Sequence, residues 1–168
     1  KLEGQHHSMS LIRLLKQIKN SSDMWQSEVH GITHWDRVME NALMIGIENG
    51  ADLKIVEYFA YLHDCCRENE WDDPQHGPRA AAFAKRKRDL FDLNDIQFKL
   101  LIRACSGHTH AHPNGRAGLD PTLAACWDGD RLDLGRVGIT PDPNRLFSDQ
   151  GKEYAIYNQA IGFDYEDF

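Results

Sequence analysis

Apolar residues along the chain recur at helical spacing in separate runs, each closed by polar or turn-forming residues. Leu11, Ile12, Leu14, Leu15 and Ile18 lie on one helix face, and Asn20, Ser21, Ser22 and Asp23 end that run. A second run begins at His34 and continues through Val38, Met39, Ala42, Leu43, Ile45, Gly46 and Ile47 to Asn49-Gly50, a helix-stopping pair. Asp52 can cap a third helix from Leu53, whose apolar positions Ile55, Val56, Phe59, Ala60 and Leu62 lead directly to His63-Asp64. The charged stretch from Arg67 to Gln75 reads as a loop. His76-Gly77-Pro78-Arg79 opens a fourth helix, where proline near the start suits its fixed φ and missing N–H.

Asn94 or Asp95 caps a fifth helix through Ile96, Phe98, Leu100, Leu101, Ile102 and Ala104, which arrives at Gly107-His108-Thr109-His110-Ala111-His112-Pro113. A turn-rich loop runs to Pro121, and Thr122 to Leu134 reads as a sixth helix. Ser148-Asp149 can cap a short last helix with Tyr154, Tyr157 and Ile161 as its apolar face. With no alternating strand pattern and no internal repeat, the expected fold is all-α, a single helical bundle.

Composition narrows the class. A chain of 168 residues suits one domain; residues 1–8, with paired histidines before Ser8-Met9, read as an expression-tag remnant, leaving 9–168 as the domain. At 41% hydrophobic and 27% charged, the chain has the makeup of an ordinary globule. The N-terminus lacks a signal-peptide pattern, and no run approaches the roughly 18 apolar residues of a membrane span, so the expectation is a cytoplasmic protein without membrane contact. A net charge of −7 argues against binding extended nucleic acid. The spacing of the four cysteines suggests no disulfide framework. Histidine is the anomaly: of nine, seven fall between His30 and His112.

Those histidines sit with aspartates near predicted helix ends. Imidazole nitrogen with carboxylate oxygen is a ligand set for divalent transition metals such as Fe, Mn, Co, Ni or Zn. His34, His63, Asp64 and Asp130 suffice for one ion with positions left open; His76 and His108 would suit a second, with Asp64 bridging. His110 or His112 could replace His108, and Asp128 is the reserve for Asp130. His30, one turn before His34, reads as its hydrogen-bonding partner. Asp72 and Asp73 read as loop capping, and Trp25, Trp35, Trp71 and Trp127 as core or pocket wall. Cys65 and Cys66 follow the pair at ~100° steps and should pack away from it.

The ordered set of His34 followed by Arg37-Val38, then His63-Asp64 at a helix end, then Asp130-Arg131-Leu132 resembles the signature of the HD-domain superfamily of metal-dependent phosphohydrolases, in a branch with extra histidines. The resemblance runs from about His30 to Gly138. It implies an HD-type helical fold and hydrolysis, by metal-activated water, of a phosphomonoester or phosphoanhydride in a small phosphorylated substrate, with a nucleotide expected. The motif that names the cyclic-dinucleotide phosphodiesterases of the superfamily is absent. Its alarmone hydrolases carry paired acids after His-Asp; here Cys65-Cys66-Arg67-Glu68 leaves Glu68 as candidate acid or base and makes Arg67 a phosphate clamp, with Arg79 and Arg131 as further clamps. Some relatives with the same six ligands are di-iron oxygenases, which is the rival reading; a metal-stabilised binding or regulatory module is the third. Substrate, metal identity and oligomeric state stay open.

Overall fold

Side-chain caps set the helix boundaries. Asp52 accepts from the backbone N–H groups of Lys54 and Ile55, Asn94 forms a reciprocal capping box with Gln97, Asp120 accepts from Thr122, and Ser148 accepts from Gly151. Each such cap contributes about 0.5–2 kcal/mol to its helix. In the computed structural model, which describes residues 8–114 and 118–161, the elements are α1 (Met9–Ser21), α2 (Ile32–Asn49), α3 (Leu53–Leu62), α4 (His76–Arg86), α5 (Asp95–Gly107), α6 (Pro121–Arg131) and α7 (Asp149–Ala160). Short tight helical turns fill several connections, and the described residues contain no strand, as the sequence pattern predicts. None of their helices is long and apolar enough to cross a membrane. Ser8, grouped by sequence with the tag, accepts from Leu11 N–H and caps α1.

The centre of the bundle is α2 packed against α3 and α6, with α4 and α5 pairing beside α3. Buried Trp35, Val38 and Ile45 from α2, Ile55, Phe59 and Leu62 from α3, and Leu123 and Trp127 from α6 fill the interior. Trp127 also donates its indole N–H to Ala104 O on α5, which ties the α6 layer to the α4/α5 layer. The apolar stripe of α1, Leu11, Leu14 and Ile18, is buried, as its spacing predicts.

Where α2 and α6 cross, there is no room for a side chain at Gly129. A Cβ built on Gly129 would lie 2.6 Å from Ala42 Cβ and 2.9 Å from Ala42 N. Glycine at this crossing fixes the depth of Asp130, its neighbour in sequence.

Three expectations need correction. The sixth helix ends at Arg131, three residues short of Leu134, so Asp133 leaves the helical register. The buried residues of α7 are Gly151 and Ala155, while Tyr157 and Ile161 are exposed. The cause is Asp128: its carboxylate accepts from Phe147 N–H, Ser148 N–H and the Ser148 hydroxyl, and it holds the start of α7 so close that small residues must face inward. Trp71 is 83% exposed, because the loop around it is pinned by polar bonds and offers it no apolar surface.

Gly129→Ala should destabilise the protein by about 1–3 kcal/mol, the usual cost of overpacking. Thermal unfolding of the variant against wild type checks this, and an unchanged midpoint would show that the crossing can relax.

Candidate metal centre

The bundle delivers six polar side chains to one place, each from a helix end. His34 lies in the first turn of α2; His63 and Asp64 follow α3; His76 opens α4; His108 follows α5; Asp130 is one residue from the end of α6. Five of these are buried, with His34 and His63 wholly so, and Asp130 is partly exposed to a cavity. Buried polar groups are costly unless paired. Here they are paired with one another.

Their atoms fall into two groups. In the first, His34 Nε2 lies 3.2 Å from His63 Nε2 and 3.3 Å from Asp130 Oδ1, and Asp64 Oδ2 stands 3.6 and 3.8 Å from those two nitrogens. In the second, Asp64 Oδ1 lies 2.9 Å from His76 Nε2 and 3.6 Å from His108 Nε2, and the two nitrogens are 2.7 Å apart. His34, His63 and Asp130 form one cluster whose ligand atoms could hold a metal ion, and Asp64, His76 and His108 form another. Asp64 offers one oxygen to each side.

The opposite nitrogen of each ring settles the tautomer. His63 Nδ1 donates to Ala60 O at 2.9 Å, His108 Nδ1 donates to Cys105 O at 2.7 Å, and His76 Nδ1 donates to Asp73 O. His34 Nδ1 donates to Asp133 Oδ2 at 2.7 Å. A carbonyl can only accept, so each of those Nδ1 atoms carries the proton and each Nε2 turns a lone pair toward the centre. Two such lone pairs 2.7 Å apart repel unless a cation lies between them or one ring takes a second proton. The donor set therefore fits a divalent transition metal.

Electrostatics agree. Burial works against ionising Asp64, yet His63 and the bonds from His108, His30 and His76 hold its carboxyl well below the ordinary range. Burial likewise opposes Asp130, and the bonds from His34 and His63 with the charge of Arg136 outweigh it. For His34, burial disfavours the proton, but its bonds to Asp130 and Asp133 prevail and raise the pKa.

A cavity of about 640 Å³ opens onto Asp64, His76, His108 and Asp130, and Arg67, Arg131, Arg136 and Arg145 also line it. Arg67 approaches Asp64 Oδ1 with its Nε at 3.4 Å. Arg131 bonds to Arg145 O and Ala111 O and lies over the Phe147 ring, so it braces the rim as well as lining it. Glu68 and Arg79 are not brought to this cavity. Glu68 is exposed and stands near Arg79, which bonds to Cys66 O and Asp73, and both line a separate cavity with Cys65 and Cys66. His110 and His112 line the main cavity outside the two clusters, and Asp128 is absorbed by α7.

Some partners escape sequence reading. His30 bonds to Asp64 Oδ2 at 3.2 Å, not to His34 as its spacing suggests, because the residues before α2 lie outside helical register. Asp133 backs His34, and Arg37 donates to its other oxygen. Arg136 reaches back to Val29 O and stands 3.8 Å from Asp130. The run Asp128, Asp130, Asp133 was the available signal for Asp133, but a helix continued to Leu134 would have aimed it elsewhere.

No family model matches the chain, and no curated protein matches it. Among solved structures, the crystal structure of a predicted HD superfamily hydrolase from an uncultured Thermotogales bacterium, at 1.45 Å resolution, shares the fold with a TM-score of 0.69. The match covers 91% of this chain and 88% of that one at 22% identity. The all-helical architecture expected from the residues is thus an HD-type fold.

Manganese or iron(II) should raise the thermal midpoint of the wild type, and Asp64→Ala should abolish the rise, because it removes an oxygen from both clusters. His76→Ala should keep a reduced shift. A full shift in Asp64→Ala would separate stabilisation from these clusters.

Proposed function

We propose that the chain is an HD-type phosphohydrolase with two divalent metal positions, cleaving a phosphomonoester or phosphoanhydride of a small molecule, with a nucleotide as the preferred class. The observation that carries the reading is Asp64, whose two oxygens face separate histidine groups beside a cavity rich in arginine. His34, His63, Asp64 and Asp130 would hold one ion, and Asp64, His76 and His108 the other. When bound, such ions lower the pKa of water toward neutrality and polarise a phosphoryl oxygen.

The remaining work belongs to the protein. The cavity volume, about 640 Å³, falls within the roughly 300–1,000 Å³ typical of small-molecule sites. Arg67 and Arg136 stand beside Asp64 and Asp130, where they can neutralise a phosphoryl group. Leu134, Ile139, Pro141 and Leu146 give the cavity an apolar wall for the rest of the substrate. Glu68 is exposed and lines a separate cavity with Arg79, so it is left out of the reaction at phosphorus. His112 lines the cavity with its Nδ1 accepting from Asn114 N–H, so its neutral ring offers Nε2–H as a hydrogen-bond donor to the substrate. Arg79 serves the loop that carries Asp73, and through Asp73 it steadies the carbonyl that orients His76.

The neighbouring structure's name supports hydrolysis. A nitrogen-rich ligand set also suits iron, so oxygenation is the second reading. A screen of phosphate esters and anhydrides, nucleotides included, separates the two: metal-dependent phosphate release supports hydrolysis, whereas iron- and oxygen-dependent substrate loss without phosphate release supports the rival. Arg67→Ala should raise KM about tenfold or more, as the loss of a charged hydrogen bond of ~1.5–3 kcal/mol implies, with metal content retained. An unchanged KM would remove Arg67 from substrate binding.

A further inference from the structure

Three of the four central imidazoles are oriented by neutral backbone carbonyls, those of Ala60, Asp73 and Cys105. His34 alone among them is oriented by a carboxylate, Asp133, which is 2% exposed. Arg37 Nε donates to Asp133 Oδ1 at 2.6 Å, so the carboxylate cannot rotate away and Oδ2 stays on His34 Nδ1. Arg136 adds a longer contact at 4.0 Å.

This arrangement divides charge unevenly. The His34/His63 side has Asp130, one oxygen of Asp64 and, through the His34 ring, Asp133. The His76/His108 side has the other oxygen of Asp64 and no further carboxylate within its cluster. Arg37 and Arg136 stand on the first side and Arg67 on the second, so two carboxylates besides Asp64 face two arginines on the first side while the second has one arginine and no such carboxylate. The Asp73 carboxylate behind His76 is paired with Arg79, and the first side stays the more negative. In a buried site weakly screened by solvent, an added negative charge next to a ligand makes that ligand more basic and the cation better held.

We infer that Asp133, fixed by Arg37, is a positioning residue that makes the two metal positions inequivalent: the His34/His63/Asp130 position fills first and more tightly, the His76/His108 position second and more weakly. The inference rests on the proposed metal centre but goes beyond it, because two equal positions would satisfy that proposal. A purely structural Asp133–Arg37 ion pair would support folding without distinguishing the positions.

The test is a titration of the full-length, metal-free chain with cobalt(II), followed by ligand-field absorption and by competition with a chromophoric chelator. Wild type should show two steps separated by about tenfold or more. Asp133→Asn keeps the shape and removes the charge, and it should weaken the tighter step roughly 10–100-fold while leaving the weaker step unchanged. Two wild-type steps of equal affinity, or a tighter step untouched in Asp133→Asn, would overturn the inference while leaving the metal centre standing. No uptake by wild type would overturn both. If circular dichroism shows Asp133→Asn unfolded, Arg37→Gln, at a partly exposed position, reads the same device: a change in affinity confined to the tighter step supports it, and an unchanged tighter step overturns it.

Discussion

One carboxylate, Asp64, is shared between two sets of imidazoles, and the arrangement of the surrounding helices follows from serving it. Its Oδ2 is within reach of His30, His34 and His63, and its Oδ1 within reach of His76 and His108. A buried carboxylate among five histidines is stable only if positive charge is present among them. Burial raises the cost of every unbalanced proton or lone pair in the cluster, so the same residues that stabilise a cation would be a liability without one.

The bundle meets this constraint through helix ends and close packing. Each of these side chains stands where a helix begins or stops, so backbone carbonyls near helix ends become available to orient the imidazoles: Ala60 at the end of α3 for His63, Cys105 at the end of α5 for His108. Close approach then sets the spacing. A Cβ on Gly77 would lie 2.5 Å from Cys105 O, so glycine there lets α4 approach α5 until His76 meets His108. Fold and site are therefore one design, and the packing that buries Phe59 and Trp127 also fixes the positions of these side chains.

Much of this was legible in the chain. Asp52, Asn94 and Ser148 are local signals, and they mark helix starts wherever their backbone partners lie within three residues. His63-Asp64 at the end of an apolar run pointed to the centre, and the resemblance carried by Asp130-Arg131-Leu132 put Asp130, which faces the cavity, ahead of Asp128, whose role as the anchor of α7 was not legible. What escaped depends on loops and on the last turn of a helix. Asp133 turns toward His34 because α6 stops early, and Glu68 turns outward because Asp73 accepts its backbone N–H and gathers the loop. Tyr157 and Ile161 carry a helical pattern that nothing in the described structure covers, since the contact of α7 is set by a polar anchor. Periodicity finds apolar faces; it does not say which of them a buried carboxylate will override.

The most direct measurement is anomalous diffraction from crystals grown with manganese. The account predicts two ordered ions, one among His34, His63, Asp130 and Asp64 Oδ2, the other among His76, His108 and Asp64 Oδ1. An absence of ordered ions in the cluster, or a single ion that leaves Asp64 unliganded, would contradict it.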